Sequence, residues 1–255
     1  MSSASENVAR MFPEIGAGGY SRVDGTVEFY SRVNALLRPD FTVMDLGAGR
    51  GAQLLVEPAS YRTRLATLRG KVAKVVGVDV DDAVFENPYL DEAGLIEIGK
   101  PYPFPDGTFD LILSDWVLEH VANPVEFAAE IDRVLKPGGW FCARTPNRWG
   151  MVGLATNLIP NRLHTRTLSK LQPGRQSQDV FPTEYRLNTL GRLRAAFPAD
   201  RWENYSYLTN PEPPYVQKSL LAMRLVRLAW RFAPDHFGTV LNVFLRKRPA
   251  EGSDA

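Results

Sequence analysis

The sequence predicts an α/β fold of the doubly wound kind, a parallel sheet with helices on both faces. Three observations predict it. Short apolar runs recur at Val43-Met44-Asp45-Leu46, Val75-Val76-Gly77-Val78-Asp79 and Leu111-Ile112-Leu113-Ser114, as strands buried on both faces read. Stretches with helical spacing alternate with them, as in Val125, Phe127, Ala128, Ile131, Val134 and Leu135. The first run also opens onto Gly47, Gly49 and Gly51, a turn that a ligand can approach closely.

Residues 1–21, with Pro13, Gly16, Gly18 and Gly19, read as a flexible lead to a domain spanning 22–247. Val23, Val27, Phe29, Tyr30, Val33, Leu36 and Leu37 give a helix that Pro39 ends. The first strand is expected over 41–46, with a helix from Arg50 that carries Leu54, Leu55 and Val56. A basic link over Tyr61 to Lys71 leads to a second strand over 74–79. A short third strand is expected over Leu95 to Ile98, and a fourth over 109–114 after the turn residues Pro105-Asp106-Gly107. Helix Pro124 to Leu135 stops at Lys136-Pro137-Gly138-Gly139, and a fifth strand follows over 140–144. Beyond Thr145 the chain turns loop-rich and basic, with Arg148, Arg162, Arg166, Lys170, Arg175, Arg186, Arg192 and Arg194 against Asp179 and Glu184. A strand over 202–208, a helix over 217–232 and a strand over 239–245 complete the order, and 248–255 is a tail.

The glycine turn narrows the ligand. Gly47, Gly49 and Ala52 satisfy a dinucleotide fingerprint, which alone is a weak signal. Asp45 argues against it, because a pyrophosphate docked at that strand end would face a like charge. S-adenosylmethionine would bring its cationic amino-acid end instead, a favourable partner for the carboxylate. The turn glycines would also let a cofactor touch backbone N–H groups. A Gly-rich turn without any ligand is the plainer alternative.

Further segments make the pattern specific: Pro103-Phe104-Pro105-Asp106-Gly107-Thr108-Phe109-Asp110, then Asp115-Trp116-Val117-Leu118-Glu119-His120, then Val134-Leu135-Lys136-Pro137-Gly138-Gly139-Trp140. In this order, over residues 38–146, the chain resembles the class I S-adenosylmethionine-dependent methyltransferases, in particular their type 11 branch. The resemblance implies a Rossmann-like, doubly wound, mostly parallel sheet whose last strand is antiparallel. It also implies a helix across the cofactor cleft before the first strand, and acceptor-side insertions, here about 146–194 and 211–237. One departure stands out. Where many members carry an Asp that receives the adenine amino group, this chain has Ile98, beside Glu97 and Gly99.

Ligands of such sheets bind outside the carboxyl ends of the strands. Asp45, Gly47, Ala48 and Gly49 are therefore expected at the methionine end of the cofactor, and Asp79 with Val80 at the ribose. Asp115 with Trp116 is expected to form the wall between cofactor and acceptor. Methyl transfer from a sulfonium needs a base only when the acceptor arrives protonated. The candidates are His120, Asp115 and Glu119, with His164 and Tyr185 behind them. His120 leads because imidazole titrates near pH ~6.5; a helix-start histidine bonded to backbone is its plain alternative. Asn147, Arg148, Tyr185 and Arg186 are expected to bind the acceptor, the two arginines by clasping a phosphate or carboxylate. Solvated surface charge is the plain alternative for those arginines.

Composition sets outer bounds. A length of 255 residues suits one α/β domain, and a net charge of +1 supplies no field that would attract nucleic acid. The single cysteine, Cys142, excludes an intrachain disulfide, fits a reducing cytoplasm and reads as core. No signal peptide or spanning segment is visible, and no metal is expected, since Asp115 alone stands where a metal site would need a cluster. The helix 218–232 places Arg224, Arg227 and Arg231 on one face. It is a candidate for peripheral membrane contact or for a homodimer interface. The expected activity is methyl transfer from S-adenosylmethionine to a small-molecule, lipid-linked or saccharide acceptor, at oxygen. A non-catalytic S-adenosylmethionine-binding partner and an NAD(P)-dependent oxidoreductase are the alternatives.

Overall fold

The computed structural model describes residues 3–51, 54, 57, 59–150, 183–213 and 216–249. Its frame is a mixed sheet of β1 (Thr42–Leu46), β2 (Lys74–Asp79), β3 (Glu92–Leu95), β4 (Phe109–Asp115), β5 (Leu135–Pro146), β6 (Trp202–Asn204), β7 (Tyr207–Thr209) and β8 (Val240–Lys247). The order is β3-β2-β1-β4-β5-β8-β6, with β7 also on β8. The first five strands are parallel, and β8 runs antiparallel to β5, as expected. The order reverses between β1 and β4, where open sheets of this kind bind ligands.

Helices α2 (Gly25–Leu36) and α3 (Tyr61–Ala66) cover one face, where Phe29, Val33, Ala66 and Leu68 pack on Val43, Val75, Leu111 and Leu113. The other face carries α4 (Pro124–Val134) and α5 (Leu190–Ala196), with Ile131, Val134, Leu193 and Phe197 on Met44, Ile112 and Phe141. Cys142 lies fully buried in β5, and burial pushes its thiol up, out of reach of nucleophilic chemistry at neutral pH.

Several elements differ from expectation for local reasons. The lead is helical: α1 (Ser3–Met11) and a 3₁₀ turn Pro13–Gly16 pack beside α6 (Leu220–Phe232). Phe12 is fully buried, with the Arg227 guanidinium 4.9 Å above its ring, and Asn7 Nδ2 donates to Gln217 O at 3.0 Å. The basic link contains α3, capped by Ser60. β3 lies three residues earlier than the expected start at Leu95, because Asp91 exchanges bonds with Val75, its Oδ2 accepting from Val75 N at 2.9 Å, and sets the register there. The expected strand 202–208 is broken into β6 and β7, where the Ser206 hydroxyl replaces a ladder carbonyl and accepts from Phe244 N at 3.1 Å. β5 starts at Leu135 rather than 140 and shifts register before Trp140. The helix expected from Arg50, most of the 146–194 insertion and most of the tail lie outside the described residues.

Asp24 closes the N-terminus of α2. Its Oδ1 accepts from Thr26 N and Val27 N, both at 2.9 Å, and its Oδ2 pairs with Arg62 of α3. Asp24→Ala should cost about 1–2 kcal/mol. Thermal melts are expected to drop by roughly 2–8 °C for a domain of this size.

Candidate functional site

Asp79 and Asp115 end β2 and β4, and Asp45 stands one residue before the end of β1, so the three acids lie on neighbouring strands at the switch point. Their environments differ. Asp79 is spoken for by backbone: Oδ2 accepts from Gly49 N at 2.9 Å, and Oδ1 from Val80 N at 2.7 Å and Asp81 N at 3.1 Å. Asp115 faces Arg144, its direct partner across the β4–β5 ladder. The guanidinium donates to both carboxylate oxygens, Nε to Oδ1 at 2.8 Å and Nη2 to Oδ2 at 2.7 Å, and Tyr30 OH adds a third bond at 3.1 Å. Asp45 has no hydrogen-bond donor among the described residues. Burial pushes its carboxyl up to about 7, with Asp115 and Asp79 adding repulsion.

Arg144 organises more than one neighbour. Its side chain is 6% exposed, and Nη1 donates to Thr26 Oγ1 at 3.0 Å, tying β5 to the start of α2. Its charge centre lies 5.2 Å from the Trp116 ring, 5.4 Å from Phe29 and 5.8 Å from Tyr30. Burial opposes its charge, but Asp115 outweighs burial and keeps the guanidinium protonated. Burial and Asp115 together raise Tyr30, so the phenol stays a donor. Trp116 sits at φ +62°, held by its N–H on Arg144 O at 2.8 Å. The strained backbone turns the chain sharply at the end of β4.

The glycine turn works differently from expectation. Gly47 N and Ala48 N both donate to Val78 O, at 2.8 and 3.2 Å, and Gly49 N goes to Asp79. Asn87 Nδ2 clamps the Ala48 and Gly49 carbonyls at 3.1 Å each. These three N–H groups are therefore used within the fold and are not offered to a ligand. What Gly47 supplies is closeness: it has φ +79°, and a Cβ there would lie 2.3 Å from Val117 Cγ2.

The other expected residues divide. Glu119 is buried, accepts from Thr145 Oγ1 at 2.8 Å, and is raised by desolvation. Its backbone carbonyl accepts from Glu184 N at 2.7 Å and Tyr185 N at 3.1 Å, which brings the 183–188 segment against the 3₁₀ turn that carries His120. Arg148 is beside it, with Nη1 on Tyr185 O at 3.3 Å. Asn147 is fully occupied with structure, Nδ2 donating to His236 O at 2.9 Å and Gly238 O at 2.7 Å. Arg186 points to the surface and pairs with Glu184 at 3.2 Å, so Arg148 and Arg186 do not form a clasp. Val80 is exposed at the β2 end. Ile98, at the adenine position, is 84% exposed, and Glu97 pairs with Lys100. His164 lies outside the described residues.

Sequence reasoning missed Tyr30 and Arg144 as parts of the site. The signal was present. A tyrosine in an otherwise apolar stripe needs a partner for its hydroxyl, and an arginine within Phe141-Cys142-Ala143-Arg144-Thr145 needs an acid on the next strand.

Comparison with known proteins agrees with this geometry. A family model described as a methyltransferase domain matches residues 44–143. The demethylmenaquinone methyltransferase of Symbiobacterium thermophilum is 31% identical over 147 residues, 54% of this chain and 53% of that protein. The ubiquinone biosynthesis O-methyltransferase of Maricaulis maris is 35% identical over 115 residues, 42% of this chain and 41% of that one. The chain spans about half the length of the curated relatives it matches. A Listeria monocytogenes structure assigned as an S-adenosylmethionine-dependent methyltransferase has a TM-score of 0.51 at 13% identity and covers 88% of this chain and 98% of that one, a likeness of fold. Over residues 44–143 the chain is therefore similar to methyltransferase domains, and the relatives named above are methyltransferases.

Two stability experiments follow from the charges. Asp45 titrates near ~3.9 when unfolded, so its contribution is fully present below that pH and is lost as pH rises through about 7. Asp45→Asn should therefore melt about 2–6 °C above the unliganded wild type at pH 8, with the difference closing near pH 4. Arg144→Met should cost about 3–5 kcal/mol in denaturant unfolding, because it leaves Asp115 buried and unpaired. Adding Asp115→Leu to it should recover much of that loss; additive losses would mean the two residues act separately.

Proposed function

We propose that this chain transfers the methyl group of S-adenosylmethionine to an oxygen of a small-molecule, lipid-linked or saccharide acceptor. The single observation that carries the cofactor side is the half-buried Asp45 carboxylate at the switch point, without a donor among the described residues and next to a turn that Val117 keeps free of any Cβ. A cationic ligand end relieves that carboxylate, whereas a pyrophosphate would worsen its repulsion with Asp79 and Asp115. The names of the two relatives above point to quinone chemistry, and one of them to transfer at oxygen, which supports the lipid-linked member of the acceptor set.

When bound, S-adenosylmethionine supplies an electrophilic methyl on a sulfonium with a neutral leaving group. The protein's share is to bind, orient and exclude water. Asp45 holds the cationic amino-acid end. Asp79 receives ribose hydroxyls through the lone pairs its backbone donors leave open. Trp116, backed by Arg144, walls the cleft on the acceptor side. A hydroxyl acceptor must lose its proton. Asp115 is unsuited, with three donors on two oxygens, and Glu119 is committed to Thr145. His120 is the proposed base, and Arg148 and Tyr185 the proposed acceptor contacts, since both stand by its turn.

Calorimetry with S-adenosylhomocysteine tests the cofactor side. Asp79→Ala should weaken binding by about 1–3 kcal/mol, and Asp45→Asn comparably. Affinity of the wild type should rise with pH up to about 7 as Asp45 ionises, with protons released on binding below that pH. Unchanged affinity in both variants, or tight NAD binding, would sink the assignment. Labelled-methyl transfer to quinol, phosphorylated and glycosylated acceptors tests the rest. His120→Ala should lower turnover about 10²-fold with cofactor affinity intact; normal turnover with a lower melting temperature would make the imidazole structural.

A further inference from the structure

We propose that the outer face of α6 docks this protein onto an anionic lipid surface. The helix is amphipathic in an inverted sense. Leu221, Leu225, Leu228 and Phe232, spaced four, three and four apart, form one stripe, yet they are 67%, 57%, 54% and 77% exposed. Met223 on the opposite face is fully buried. Arg227 also turns inward, over Phe12, which corrects the expectation that it shares an outward face with Arg224 and Arg231.

Charge selects the occupant. At 100° per residue, Arg224 and Arg231 fall along one border of the apolar stripe, and both are exposed. Lys218 stands exposed just before the helix. The thirteen residues LLAMRLVRLAWRF contain no acid. A second copy docked antiparallel on this stripe, by a two-fold axis across the helix, would bring the two arginine borders together, like charge on like charge, and a parallel pair would leave both borders without an acid to meet them. Anionic headgroups complement the border while the leucines and Phe232 enter the acyl boundary, the arrangement of a helix lying in an interface. No helix among the described residues is long and apolar enough to cross a membrane, so the contact is peripheral. The packing of α1 and Phe12 on the inner side holds α6 as a fixed platform. The proposal stands independently of the acceptor.

The test is co-sedimentation of the full chain with phosphatidylglycerol-containing vesicles and with pure phosphatidylcholine vesicles. The wild type should pellet with the anionic vesicles, at least tenfold more weakly with the neutral ones, and less in high salt. The exposed-site variant Leu225→Glu with Leu228→Glu should lose binding at least tenfold while keeping its circular dichroism and its S-adenosylhomocysteine affinity. Arg224→Glu with Arg231→Glu should weaken it several-fold and remove the salt dependence. Absence of wild-type binding overturns the proposal, as does binding that both double variants retain. A dimer that the leucine variant dissociates, without vesicle binding, would assign the stripe to a second copy and overturn it as well.

Discussion

The buried pair of Asp115 and Arg144 is the constraint on which the site depends. Two adjacent parallel strands carry opposite charges at the same register position, at the end of β4 and two residues before the end of β5, in a place from which water is largely excluded. Neither charge is tolerable there alone. Together they fix the relative position of β4 and β5 and draw in Tyr30 and Thr26 from α2. They also place the Trp116 ring, because the Arg144 carbonyl holds that residue's N–H while its guanidinium lies beside the indole. One ion pair thus links the two central strands, the helix over the cleft and the wall of the site.

Its second effect is on the charge left for a ligand. Three carboxylates meet at the switch point, and among the described residues only one lacks a donor. Arg144 neutralises Asp115, and three backbone N–H groups satisfy Asp79. The remaining deficit is localised on Asp45. In the proposed function this would direct a cationic group to the carboxyl end of β1 rather than spread it across the cleft. The glycine turn agrees with this division. With its first three amides turned back onto Val78 and Asp79, it presents a close backbone surface and does not offer those amides to an anion.

What the sequence made legible follows from short-range chemistry. Apolar runs that end in acids located β1 and β2 to within a residue, and Asp45 was singled out by its charge and place alone. The reversal of β8 came from resemblance and holds. The failures required knowledge of tertiary partners. Asn147 follows the strand end where acceptor contacts attach, but its amide is drawn off by the carbonyls of His236 and Gly238, far along the chain. The glycine-rich lead looked flexible because no single residue shows that Phe12 has a pocket between Arg22 and Arg227. β3 was misplaced because its register depends on the Asp91 side chain rather than on an apolar pattern. The Tyr30–Asp115–Arg144 set spans three elements, and no local spacing connects them.

The two kinds of buried acid in this cleft serve opposite ends. Asp115 is matched by Arg144 and contributes to holding the fold. Asp45 has no hydrogen-bond donor among the described residues, and its burial beside Asp115 and Asp79 disfavours its ionised form. In the proposed function a cationic ligand would restore the charged state and recover that cost, so Asp45 would add to ligand discrimination at the expense of stability. A neutral residue at Asp45 would give a sturdier domain and lose the selectivity. A neutral pair at Asp115 and Arg144 would keep the fold and release Trp116 and Tyr30 from their fixed positions. On the proposed function, the fold thus places its compensated charge where geometry must be held, and the charge left without a donor among the described residues where a ligand would be chosen.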